Sequence, residues 1–337
     1  MATPSATFLP SRIVVAIGGN ATHPEEIRGT AGEQKEIAAL TAKALLPLAM
    51  ADNELVLVHG NGPQVGNLAI QGEEGARIVP AQPLFALGAM TEGQLGSVIT
   101  LALRKVGDAG HPNWMRGAVA VVTHVSVSPD DPAFGDPTKP IGPFFSREQA
   151  ESLAAERGWV VKEDAGRGWR RVVPSPQPVT VLETPAIRAL LEQNMVVVAA
   201  GGGGVPVVRG QSGGYVGVDA VIDKDYAAEQ LATALSAEAL VLVTGVDSVL
   251  LHFGTPQQVP IHEMSVSEAE MYLADGEFPE GSMGPKIRAA TQFLRRGGEI
   301  AVVTTPQLVY ASLEGTVSKL EGEPGTRIVR VRPLTAA

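Results

Sequence analysis

The stretch Gly217-Val218-Asp219-Ala220-Val221-Ile222-Asp223-Lys224-Asp225-Tyr226 runs into the apolar-periodic segment Ala227 to Ala237, so a helix is predicted to begin where Lys224 stands. The positive end of a helix dipole disfavours a cation there by up to about 1 kcal/mol, and the flanking Asp223 and Asp225 read as partial compensation. The arrangement recurs at Gly281-Ser282-Met283-Gly284-Pro285-Lys286, ahead of a helical run from Ile287 to Arg296. Pro285 is expected at the first helical position and Gly297 as the stop. Two lysines thus occupy places where a bare helix prefers carboxylates, each after glycine. An anion outside the chain accounts for both, most simply a phosphate held by lysine and backbone N–H groups together. A solvated surface cation is the alternative for either lysine alone, and the glycine-rich strand ends elsewhere in the chain shift the balance towards phosphate.

Those strand ends set the fold class. Arg12 to Ile17 is a short β-branched run closed by Gly18-Gly19-Asn20-Ala21. Ile37, Leu40, Ala44, Leu45 and Leu48 keep helical spacing between Glu33 and Ala51, and Leu55 to Val58 is the next strand. A strand, helix, strand unit of this kind implies a mainly parallel sheet. Residues 82 to 105 have helical spacing, and Val119 to Thr123, Met195 to Ala200, Ala239 to Thr244 and Glu299 to Thr304 read as further strands. Gly201 to Gly204 follow one of them. Four consecutive glycines are costly in backbone entropy, so a close approach of backbone to another group explains them better than a linker.

The second strand ends in His59-Gly60-Asn61-Gly62-Pro63-Gln64-Val65-Gly66. This misses the dinucleotide fingerprint G-x-G-x-x-G at Val65, and no acidic residue near position 80 is available for a ribose. It reads instead as a glycine-rich turn whose N–H groups face a small anion, with His59 a packed residue rather than a catalyst. No Walker A sequence occurs, which argues against a P-loop NTPase.

Between Pro129 and Pro143 prolines punctuate the chain, which excludes regular helix or a central strand there. Ser146 to Gln149 is a capping box opening a short helix, and Trp159 to Glu163 pairs with Trp169 to Val173 around residues 165 to 168. The plain reading of this excursion from the main sheet is a structural insertion, although loops of this length without regular structure are often lids or binding loops.

Composition is consistent with such a fold. The 337 residues are 45% hydrophobic and 18% charged, enough for one large α/β domain or two lobes. A net charge of -10 argues against a nucleic-acid or anionic-membrane surface. The absence of cysteine removes disulfides, a thiolate nucleophile and Cys-ligated zinc. No charged n-region and apolar h-region open the chain, and no uninterrupted apolar run reaches the roughly 18 residues that span a bilayer, so a cytoplasmic protein is expected.

The motifs at 15 to 21, 59 to 66, 137 to 144, 166 to 176, 199 to 204, 220 to 225 and 281 to 286 together resemble those of the carbamate kinases, in the amino-acid kinase family. The resemblance spans nearly the whole chain, and the proline-rich insertion is its most specific part. It implies a three-layer α/β/α sandwich with a mainly parallel central sheet and a small protruding lid subdomain. Residues 1–230 would form an acceptor lobe carrying the lid at 128–178, and 231–337 a nucleotide lobe. The implied reaction is phosphoryl transfer between carbamoyl phosphate and ADP with Mg²⁺, yielding ATP and carbamate, in a homodimer serving amino-acid (arginine) or ureide catabolism.

By the same resemblance, Gly18, Gly19, Asn20, Gly60, Asn61, Gly62, Gly202 and Gly203 would line the acceptor and transferred-phosphoryl end. Lys224 would stabilise the phosphoryl group, Lys286 would meet the nucleotide phosphates, and Asp225 would orient both lysines. Lys139 would reach the phosphoryl group from the lid. Thr244, Val246, Met283 and Gly284 would complete the nucleotide site, with no metal ligand supplied by the protein. Two positions depart from the family pattern. Thr91-Glu92-Gly93 stands where Ser-Gln-Gly is usual, bearing on local packing or a dimer surface, and Gly245 stands where an aspartate is usual, bearing on nucleotide contacts. The rival readings are a kinase for another small carboxylate or carbamate-like acceptor, a non-catalytic nucleotide or metabolite sensor, and, least favoured, a nicotinamide oxidoreductase.

Overall fold

The computed structural model describes residues 9–18, 27–110, 116–164, 166–314 and 325–331. Gly19 and Asn20 lie outside them. The spine is an eight-stranded sheet in the order β15 (Glu263–Ser265), β17 (Thr326–Val329), β16 (Ile300–Thr304), β12 (Ala239–Val243), β1 (Arg12–Ile17), β2 (Glu54–His59), β9 (Val196–Val198) and β3 (Ala118–Ala120). Every neighbouring pair is parallel except β16 with β17. The central strands are buried on both faces, which is why their sequences are continuous apolar runs rather than alternating ones.

Alternation along β1 and β2 distributes those runs between two cores. Ile13, Val15, Ile17, Leu55 and Leu57 face one side, where α1 (Ala31–Met50), α3 (Leu84–Gly110) and α9 (Val309–Glu314) supply Leu45, Leu103 and Val309. Val14, Ala16, Val56 and Val58 face the other. There α5 (Thr184–Glu192), α6 (Lys224–Leu235), α7 (Val266–Ala274) and α8 (Met283–Arg295) bring in Ile187, Leu231, Ala269 and Phe293. The result is the three-layer α/β/α arrangement. Helix α3 is long and apolar enough to cross a membrane, but here it packs against α1 and β3.

Three local readings are corrected. The turn after His59 continues directly into a helix, α2 (Gly62–Gly75). Four of its fourteen residues are glycine, which hides it from propensity. Pro285 is the third residue of α8 rather than the first, because the helix starts at Met283 after Ser282. Strand β3 ends at Ala120, short of Thr123.

A second sheet, in the order β11 (Tyr215–Gly217), β10 (Val205–Arg209), β4 (His124–Val127), β8 (Pro178–Val181), borders the first. Strands β4 and β8 are antiparallel partners, so the chain leaves the body at Val127 and returns beside it at Pro178. The intervening lid holds α4 (Arg147–Arg157) and a three-stranded sheet, β5 (Lys139–Phe145), β7 (Trp169–Val173) and β6 (Val160–Glu163), with the proline-bearing β5 at its edge. Ser146 closes the expected capping box with Gln149 at the start of α4. A small hairpin, β13 (Val249–Leu251) with β14 (Val259–Ile261), completes the set.

The lid rests on α2. Ile141 and Val173 pack into one apolar cluster with Val65, Ala69 and Leu87. Glu73 of α2 receives Arg157, Arg171 and the Trp159 indole N–H from the lid.

Candidate active site

Helices α6 and α8 pack together, and Lys224 and Lys286 near their starts line one cavity with Lys139 of the lid. Asp223 is the N-cap of α6: its Oδ1 accepts the Asp225 backbone N–H at 2.9 Å. Lys224 is therefore the first helical residue, as the sequence places it. The carboxylate of Asp225 joins the two helix starts. Its Oδ1 accepts from Lys224 Nζ and its Oδ2 from Lys286 Nζ, each at 2.7 Å. From the lid, Lys139 Nζ donates to Asp223 Oδ2. Residues 84 apart in sequence are thereby joined across the site.

Three lysines stand against two carboxylates, so the cluster is one positive charge in excess and suited to an anion. Burial alone would raise the Asp225 pKa, but Lys224 and Lys286 overcome it and hold the carboxyl well below the usual carboxylate range. Asp223 is also lowered: burial opposes ionisation, and Lys139 outweighs it with help from Lys224. Burial pulls Lys224 down, with Lys286 adding repulsion against the attraction of Asp225. At Lys286 burial is outweighed by Asp225, which holds it above its ordinary value. Buried charges are tolerated here because each is paired.

Two cavities meet at this cluster. One, of about 570 Å³, opens beyond the end of β12 and is lined by Gly18, Thr244, Val246, Met283, Asp225 and Lys286. The other, of about 620 Å³, lies under the lid and is lined by Gly60, Asn61, Gly62, Gly202, Phe144 and Arg167. Lys139, Lys224, Arg170 and Gly281 line both.

The placements sort the sequence expectations. Gly60, Asn61, Gly62 and Gly202 come together under the lid, while Thr244, Val246, Met283 and Lys286 come together beyond β12. Gly18 lines the β12 cavity, apart from Gly60, Gly62 and Gly202 with which the resemblance groups it. Gly203 lies behind the lid cavity, where a Cβ would meet Ile222 O at 2.2 Å. Gly284 lines neither cavity, and its N–H donates to Pro279 O. Gly245, one of the two departures, does line the β12 cavity.

The glycine loop is as close-packed as its composition implies. Residues 201–203 form a 3-10 turn in which Gly202 has φ +66°, and a Cβ there would fall 2.1 Å from the Asn61 side chain. His59 is buried below it, where a Cβ on Gly201 would strike the ring. Burial pushes its pKa down to about 4, so it is a neutral packed residue, as read from its strand-end position. Asn61, the N-cap of α2, makes no capping bond to its own helix, which leaves the first-turn N–H groups without a side-chain cap.

Sequence reasoning missed two residues. Asp223 read only as dipole compensation, yet it is the lid lysine's partner. Arg170 lies in a quoted motif but had no assigned part. Its guanidinium donates to Gly142 O and to Asp164 while facing both cavities. Among the described residues no group of three or more His, Asp or Glu could hold a metal ion.

Comparison with known proteins gives the family and the fold. Residues 11–305 match the model of the amino acid kinase family. The carbamate kinase of Pyrococcus horikoshii is 43% identical over 322 residues, covering 95% of this chain and 99% of that protein. The carbamate kinase of Giardia lamblia bound to citric acid superposes with a TM-score of 0.87 at 36% identity, covering 95% of this chain and 98% of the other. The same Giardia enzyme bound to AMP-PNP gives 0.84 at 36% identity, with the same coverage.

Proposed function

This chain belongs to the amino acid kinase family, among its carbamate kinases, and from that premise we propose that it catalyses reversible phosphoryl transfer between carbamoyl phosphate and ADP, giving ATP and carbamate. The observation that carries the reading is the meeting of two cavities at Lys139 and Lys224, with a surplus of positive charge at the junction. In the ATP-forming direction the bond from phosphorus to the carbamate oxygen breaks as an ADP β-phosphate oxygen bonds to that phosphorus. Carbamate leaves with the electron pair.

Such a transfer needs positioning and charge stabilisation more than covalent chemistry. Carbamoyl phosphate occupies the lid cavity and the nucleotide the β12 cavity. The AMP-PNP bound by the Giardia relative supports a nucleotide as one of the two ligands. Lys224 faces the phosphoryl group in flight, Lys139 meets it from the lid, and Lys286 meets the nucleotide phosphates. Asp225 keeps the two helix-start lysines aligned, and the uncapped N–H groups of α2 face the acceptor. Lid closure would exclude water and limit wasteful hydrolysis.

Mg²⁺ belongs to the reading as the nucleotide's companion, binding phosphate oxygens and neutralising their charge. The two carboxylates at the junction are both engaged by lysines, so no residue of the chain is assigned as a metal ligand. The reading extends to an acceptor lobe at 1–230, a lid at 128–178, a nucleotide lobe at 231–337, and a cytoplasmic homodimer.

The test is ATP formation by purified protein from MgADP and carbamoyl phosphate, beside a binding measurement with NAD. ATP above the uncatalysed background and no NAD binding are expected. No ATP above that background would refute the reading.

A further inference from the structure

Behind the lid cavity, two neighbouring residues of α3 reach the two loops that form its floor. Thr91 is fully buried and Glu92 is 4% exposed, and neither lines a cavity. The Thr91 hydroxyl donates to Gly88 O at 2.7 Å, which leaves it only an acceptor towards Asn61. Asn61 Nδ2 donates to it at 2.8 Å. The amide orientation of Asn61 is thereby fixed, with its NH₂ turned inward. Asn61 in turn presses on Gly202, where no side chain fits.

Glu92 acts on the other side of the same loop. Its Oε2 accepts the Thr123 backbone N–H at 2.7 Å. The Thr123 hydroxyl accepts the Ala200 N–H at 2.9 Å. Ala200 is held at φ +49°, a left-handed conformation unusual for alanine, at the point where β9 turns into the glycine loop. The second oxygen of Glu92 is buried and meets no partner among the described residues. A carboxylate in that place would be an uncompensated charge, whereas a neutral acid offers the same acceptor oxygen at a lower cost.

We propose that Thr91 and Glu92 are positioning residues for phosphoryl transfer, Thr91 by orienting Asn61 and Glu92 by holding, through Thr123, the strained entry to the glycine loop at 201–204. The proposal rests on the reading that the lid cavity takes carbamoyl phosphate. Neither residue touches the substrate. Their effect is therefore confined to the acceptor side, and the nucleotide side, built from other helices, is independent of them. A merely structural role would lower stability and affect both substrates alike.

The experiment compares Thr91→Val, Thr91→Ser, Glu92→Ala and Glu92→Gln with wild type by steady-state kinetics and by crystal structures of the ligand-free proteins. Thr91→Val and Glu92→Ala should each lower kcat/KM for carbamoyl phosphate about tenfold or more, with KM for ADP within about twofold. Thr91→Ser, which keeps the hydroxyl, and Glu92→Gln, the amide counterpart of a neutral acid, should recover most of the loss. In the crystals, Thr91→Val should turn the Asn61 amide, and Glu92→Ala should shift residues 200–204. Equal losses for both substrates, or no recovery in the conservative variants, would overturn the proposal. The crystals decide it even if wild type makes no ATP: both loops in wild-type positions in the disruptive variants would refute the positioning roles, while an inactive wild type would refute the assigned reaction.

Discussion

The backbones of Gly66 on α2 and Gly142 on the lid strand β5 are in direct contact: a Cβ built on Gly66 would lie 2.1 Å from both the Cα and the N of Gly142. The glycine of the strand-end motif is thus where the lid sits on the body, one turn along α2 from Asn61. Gly142 has φ +71° and presents its carbonyl to Arg170, so the contact also fixes a guanidinium that faces both cavities.

Gly66→Ala should therefore displace the lid, although alanine favours a helix over glycine by about 1 kcal/mol. Turnover with carbamoyl phosphate is expected to fall about tenfold or more and its KM to rise, with ADP affinity unchanged by calorimetry. Wild-type kinetics in this variant would show that the lid seat has no part in the reaction.

Lys139→Ala removes the lid's cation from the junction and leaves Asp223 without its ion-pair partner. Loss of one preorganised donor at a developing charge typically costs about 10²-fold or more in turnover. ADP binding should be nearly unaffected. Limited proteolysis gives a second readout: substrate should protect the turn near Gly166 to Gly168 in wild type. Full turnover in the variant, with cleavage indifferent to substrate, would reduce Lys139 to a surface charge.

Lys286→Ala should act on the nucleotide instead. A hydrogen bond to a charged group contributes about 1.5–3 kcal/mol, so ADP affinity is expected to weaken roughly ten- to hundredfold. Asp225 keeps Lys224 as a partner, and the fold should survive. Unchanged ADP affinity by titration calorimetry would remove Lys286 from the nucleotide site.

Burial raises the pKa of the Glu92 carboxyl well above the ordinary glutamate range, with Glu183 adding repulsion against the Thr123 N–H; Glu183 is itself held by the backbone N–H and ring of His124. A folded-state pKa above the unfolded one stabilises the protein fully below the unfolded value, and that contribution is lost as pH rises through the folded value. Wild type and Glu92→Gln should therefore have similar melting temperatures near about pH 4. The glutamine variant should become progressively more stable than wild type as pH increases. Parallel curves across the range would mean that Glu92 is ionised in the folded protein.

The parallel sheet was legible because its strands are buried on both faces and so read as unbroken apolar runs. The paired helix starts were legible because Lys224 and Lys286 break a local electrostatic preference. The Ser146 capping box and the Trp159–Val173 hairpin depend on neighbouring residues and were visible for that reason. Helix α2 was not, since glycines at 62, 66, 72 and 75 lower its propensity while Gly66 is needed for a tertiary contact. The strands of the second sheet are three to five residues long, too short for periodicity to declare most of them. Asp223 and Arg170 escaped because their meaning lies in long-range juxtaposition: one pairs with a lysine from the lid, the other faces a junction of cavities.

The central claim is that phosphoryl transfer takes place at the junction of the two cavities, where Lys224 lines both. Its most direct test is single-turnover ATP formation by wild type and Lys224→Ala, with enzyme saturated by carbamoyl phosphate and MgADP and with ADP affinity measured separately. The transfer step should slow by about 10²-fold or more while ADP affinity changes little. An unaltered transfer rate in the variant, or an effect confined to ADP affinity, would contradict the claim.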